Sequence, residues 1–68
     1  LKYAVVFEQT PHNHAAYVPD LPGCVATGRT RDEAERRIRT AIRMHIEALR
    51  EAGEPVPPPT SSIELIEV

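Results

Sequence analysis

"YVPDLPGCVATGRTRDEA", Tyr17 to Ala34, is the stretch that decides how this chain folds. Tyr17 and Val18 close an apolar run. Pro19 ends it, because proline cannot donate to a sheet ladder. Asp20 and Leu21 make a bend, and Pro22 and Gly23 start the next segment. "GCVAT", Gly23 to Thr27, reads as a short strand in which Cys24 is a small apolar filler. Gly28 then releases the chain toward "TRDE", Thr30 to Glu33. That tetrapeptide is a capping box: the Thr30 hydroxyl accepts from the Glu33 N–H, and the Glu33 side chain reaches back. Asp32 and Glu33 also suit the positive end of a helix dipole.

Downstream of the cap, Ala34, Ile38, Ala41, Ile42, His45, Leu49 and Ala52 recur at helical spacing. A helix over Thr30 to Ala52 follows, with Gly53 as its C-cap. Upstream, Lys2 to Thr10 ("KYAVVFEQT") is β-branched and aromatic on both faces, which predicts a central strand. "PHNH", Pro11 to His14, carries turn chemistry. Ala15 to Val18 then makes the second strand of a hairpin. At the other end, Glu54 to Ser62 is a proline-rich connector. "IELIEV", Ile63 to Val68, reads as a last strand with imperfect alternation.

The predicted order is β-β-β-α-β in an α+β domain. Three strands run as a meander, and a right-handed crossover through the helix places the fourth beside the first. This gives a four-stranded mixed sheet of order 3-2-1-4 with one long helix on one face. The other face is left bare and partly apolar through Val6 or Phe7, and a bare apolar face predicts a protein interface.

Composition narrows the function classes. The 68 residues fit a single domain, 1–68, and no further domain is expected after Val68. Two Tyr, one Phe and no Trp give a thin core, and one cysteine cannot form an internal disulfide. Self-association, as a homodimer or homotetramer, is the expected source of the missing stability. A net charge of −2 argues against direct nucleic-acid binding and leaves a basic protein partner open. No membrane-length apolar run and no signal peptide are visible, and the unpaired thiol suits the cytoplasm.

The residues of Tyr17 to Ala34, followed by "AIRMHIEALREAGEPVPPP", Ala41 to Pro59, resemble the HicB antitoxin family. The "PDLPGC" turn, the "G-x-T-x-x-EA" helix start and the "G-x-x-x-P-x-P" exit occur together and in register. The resemblance implies a partial RNase-H-like fold. It also implies pairing with HicA, a small basic toxin that cleaves RNA, whose catalytic histidine the antitoxin covers. Many members of the family add a C-terminal DNA-binding domain; none is expected in residues 1–68. The expected function is neutralisation of a HicA-like toxin by protein–protein contact. Its rivals are an orphan interaction domain of the same fold and a vestigial metal-dependent nuclease.

Among candidate site residues, partner contact is expected at the turn residues Pro19, Asp20, Leu21 and Pro22, at Phe7 on the sheet, and at His12 and His14 on the hairpin tip. No catalytic residue, metal or cofactor is expected. Cys24 lacks a neighbouring cation that would activate its thiol. His12 and His14 with Cys24 or His45 do not have zinc-site spacing. His45 lies on the apolar stripe and reads as a core histidine. Glu8, Asp20 and Glu33 are the acids a nuclease would have to gather, but Asp20 reads as a turn residue and Glu33 is occupied by the cap. Pairs such as Glu35–Arg39 and Arg43–Glu47 make the outer helix face a solvated, salt-bridged one.

Overall fold

The computed structural model describes residues 1–68 and contains four elements in the order β-β-β-α. They are β1 (Val6–Gln9), β2 (His14–Tyr17), β3 (Val25–Gly28) and α1 (Arg31–Glu51). The strands form one antiparallel meander of order β1-β2-β3. Val6 faces Tyr17 and Gln9 faces His14 across the first pair; Tyr17 faces Val25 and His14 faces Gly28 across the second. The helix packs over β3 and β2.

The helix is where expectation and structure agree most closely, because both of its ends are written locally. The Thr30 hydroxyl accepts from the Glu33 N–H at 3.1 Å. The Glu33 carboxylate reaches back one residue further than a capping box requires, accepting from the Arg29 N–H at 2.9 Å. At the other end Gly53 has φ +70°. Its N–H donates to the Arg50 carbonyl and the Glu54 N–H to the Leu49 carbonyl. That pair of bonds is a Schellman motif, which needs a left-handed residue at its centre.

The expected fourth strand is not formed. Ile63 to Val68 pairs with nothing, so the sheet has three strands rather than four, no parallel crossover exists, and the order 3-2-1-4 does not hold. The physical reason lies in the connector. The Tyr3 hydroxyl donates to the Pro57 carbonyl, and Thr60 and Ser61 are held by Asp20 on the β2–β3 turn. The chain is thereby carried to the β2–β3 turn instead of along β1. The sequence of the tail adds to this: its apolar residues fall on both faces, so no single register buries them in one monomer. As a result β1 is an edge strand, and its pairing starts at Val6 rather than Lys2.

The core is small. Ala16, Val18, Leu21, Cys24, Ala34 and Ile38 are buried, and Tyr3, Val5, Phe7, Ala26, Ala41, Ile42 and Ile46 pack around them. At Gly28 the sheet comes close to the start of the helix: a Cβ there would stand 2.6 Å from the Ala34 backbone nitrogen.

Candidate functional site

The turn between β2 and β3 is built from two consecutive four-residue bends. The Leu21 N–H donates to the Val18 carbonyl at 3.1 Å, and the Cys24 N–H to the Leu21 carbonyl at 3.0 Å. Pro19 and Pro22 occupy the second position of each bend, where their fixed φ is suited to the geometry. Gly23 supplies the φ of +83° that a type II turn needs at its third position. A bond from the Val18 N–H to the Cys24 carbonyl closes the loop at its base.

This turn separates residues that the sequence grouped together. Pro19 and Pro22 are exposed, but Leu21 is fully buried in the core. Leu21 is therefore corrected from a surface contact to the centre of the packing: the double bend turns its side chain inward. Asp20 is occupied by its own chain. Its carboxylate accepts from the N–H and hydroxyl of Thr60, both at 3.1 Å, and from the N–H and hydroxyl of Ser61, both at 2.9 Å. The Ser61 N–H foremost, helped by the hydroxyls and the Thr60 N–H, holds the Asp20 carboxyl below its usual range. Cys24 is buried beside Leu21, and burial pushes its thiol pKa up, away from reactivity.

The opposite end of the sheet carries the β1–β2 hairpin tip. The Thr10 hydroxyl oxygen accepts from the His12 and Asn13 N–H groups at 3.2 and 2.9 Å, and the Thr10 N–H donates to the Asn13 carbonyl at 2.8 Å. His12 is exposed and His14 half-buried. The two histidine positions and the proline turn thus lie at opposite ends of the strands, and His14, in register with Gln9 and Gly28, falls in a helix-side row. Val6, Tyr17 and Val25 form one row across the face that α1 leaves bare, and Val25 is 64% exposed. Phe7 belongs to the next row, with Ala16 and Ala26, and packs against the core on the helix side. The Arg31 guanidinium carbon stands 3.3 Å from the Phe7 ring centre. Phe7 is therefore corrected from the bare face to the helix face.

The nuclease arrangement is not assembled. Glu8 is on β1, Asp20 is tied to the connector, and Glu33 is on the helix start with Arg37 at 3.6 Å. No three His, Cys, Asp or Glu side chains converge as a metal site. His45 is half-buried beside Gly23, Cys24 and Val25 rather than enclosed. On the outer helix face Glu35 and Arg39 pair at 3.5 Å, the second ion pair alongside Glu33–Arg37. Thr60, Ser61 and Tyr3 are the residues that sequence reasoning missed. A hydroxyl run just after a proline stretch was the available signal, but its partner Asp20 lies 40 residues away.

An open groove runs between the chain leading into β1 and the flank of α1 that the sheet does not cover. Val5 and Phe7 line one wall, Ile42 and Ile46 the other. No helix is long and apolar enough to cross a membrane.

Residues 3–67 match the family described as HicB-like antitoxin of bacterial toxin–antitoxin systems. The chain belongs to the HicB-like antitoxin family. Its HicB-like sequence is 38% identical, over 58 residues, to a UPF0150 protein of Thermoplasma acidophilum, covering 84% of each chain. An uncharacterized 14.9 kDa protein from the rep-hol intergenic region of Haemophilus phage HP1 is 36% identical over 55 residues; there the match takes in 81% of this chain but 41% of the phage protein. Among solved structures, the fold is similar to a chain of the HicA3 and HicB3 toxin–antitoxin complex. The TM-score is 0.74 at 33% identity, over 87% of this HicB-like chain and 70% of that one.

Proposed function

We propose that this HicB-like chain neutralises a HicA-like, RNA-cleaving toxin by binding it, acting in the cytoplasm and performing no catalysis of its own. The observation that supports this best is the likeness, at 33% identity and a TM-score of 0.74, to a chain from a HicA3–HicB3 complex. The toxin-facing surface in this reading is the bare sheet face, with the Val6, Tyr17 and Val25 row as its apolar part. The exposed His12 lies beyond one end of it and Pro19 and Pro22 at the other, while His14, in register with Gly28, falls on the helix side. An apolar centre within a polar rim is how protein interfaces are commonly built. A net charge of −2 complements a basic partner and speeds encounter with it. We also propose that the chain self-associates, since its core of six buried apolar side chains is thin for an independent domain.

Co-expression with a HicA-type toxin tests the main reading. The expected result is restored growth and a complex that survives purification. Absence of both the complex and the rescue would sink it. A Tyr17→Glu substitution refines the test. Tyr17 is 39% exposed, so the fold tolerates the change, while a carboxylate in this apolar row is expected to weaken toxin binding by about 2 kcal/mol or more. Isothermal titration against the toxin, with circular dichroism as the folding control, measures this.

A further inference from the structure

We infer that the segment Ile63–Val68 of one chain lies in the groove beside α1 of a second copy, so that two chains exchange their tails. This rests on the proposed self-association and is independent of the toxin reading.

The tail is an apolar segment left in water. Leu65 is 95% exposed and Ile66 74%, with Ile63 and Val68 also exposed. Isolated exposed apolar residues are ordinary, but four within one six-residue stretch form a docking element. The molecule is also wider than a compact domain of its length. The radius of gyration is 13.0 Å, against about 11 Å for a compact domain of this length.

The groove matches the tail in length and chemistry. Its helical wall runs from Glu35 to Arg50, about 22 Å at helical rise. Six extended residues span about 20 Å. In an extended chain Ile63 and Leu65 point one way and Ile66 and Val68 the other, and the groove offers apolar residues on both walls. Charge agrees as well. The tail carries Glu64 and Glu67 and no cation. The groove carries Lys2, Arg39, Arg43 and Arg50 against Glu35 and Glu47, a basic excess.

The clamp on Asp20 favours a second copy over the chain's own tail as the occupant. It fixes Thr60 and Ser61 on the β2–β3 turn, whereas the groove runs beside the lead into β1. With its root tied to that turn, the tail does not enter the chain's own groove: Leu65 and Ile66 stay exposed. A neighbouring chain related by a two-fold axis offers the same groove to it, and each copy then gives one tail and takes one. The sheet of each chain keeps its three strands.

Complementary charge reversal tests the exchange. One variant carries Glu64→Lys and Glu67→Lys in the tail; the other carries Arg43→Glu and Arg50→Glu in the groove. Light scattering of the wild type is expected to give a dimer, and each variant alone a dissociation constant raised at least about tenfold. Mixing the two variants is expected to restore the dimer, because each mismatched tail then meets a matched groove. Circular dichroism confirms that both variants keep their helix. A wild type that stays monomeric at high micromolar concentration overturns self-association and exchange together. A dimer unaffected by either variant leaves self-association standing and overturns the exchange. Variants that dissociate singly and fail to restore the dimer on mixing place something else in the groove, such as the chain's own tail, and also overturn it.

Discussion

Gly28 sits tight against the start of the helix. A methyl group there would meet the backbone of Ala34 at 2.6 Å, and backbone cannot step aside as a flexible side chain can. Gly28→Ala is expected to cost about 1–3 kcal/mol, read as a lower urea midpoint with an unchanged slope. Asp20 gives a different kind of prediction. Its folded pKa lies below the ordinary 3.8, so the clamp adds stability above the unfolded value and loses it as pH falls through the folded one. Glu33 follows the same rule, since the Arg29 N–H, with Arg37 nearby, holds its carboxyl down. Acidification below the usual carboxylate range should therefore release Thr60 and Ser61, seen as a loss of amide protection by NMR. An Asp20→Asn chain should show that release at neutral pH. Cys24 should react slowly with thiol reagents until denaturant is added, because its sulfur is buried and its thiol pKa raised. The packing role of Cys24 was legible from its surroundings in the chain. The inward turn of Leu21 was not, because it depends on how two bends add up in space.

At the scale of the element, α1 was legible nearly to the residue, since Thr30 and Gly53 act on neighbours within a few positions. Thr30→Ala is expected to cost about 1 kcal/mol, and Gly53→Ala a similar amount through its left-handed φ. Thermal unfolding followed by helix ellipticity measures both. The strands were legible as existing but not in their bounds, because a strand lasts only as long as its neighbour does. Lys2 to Val5 have strand composition yet sit outside β1. Ile63 to Val68 has a strand's composition too, and its misreading shares that cause: pairing is a relation between distant segments, not a property of one. The hairpin tip was half legible. "PHNH" signalled the turn, but the Thr10 hydroxyl that ties it together lies just outside that motif.

The whole molecule is a three-stranded sheet with a helix on one side only, 15 Å through its thinnest dimension. Such a body buries one face of its sheet and leaves the other for partners. If two chains complete each other, stability becomes a function of concentration. The melting temperature of the wild type should then rise with protein concentration, while that of either charge-reversed variant should stay flat; scanning calorimetry over a hundredfold range would show it. The family resemblance was legible because its signature residues are those that shape the turn and caps, which local chemistry demands in any copy of this fold. How the tail is disposed could only be read from the folded chain.

Asp20 has one more consequence. Its two oxygens are already spoken for by Thr60 and Ser61, four bonds from one carboxylate. Any protein that grips the turn through Asp20 must first evict them, and eviction frees the root of the tail. Occupancy of the turn and anchorage of the tail are then mutually exclusive, and thermodynamic linkage makes the penalty the same from either side. A single aspartate thus makes the hold on the turn and the placing of the tail a competition for the same acceptor.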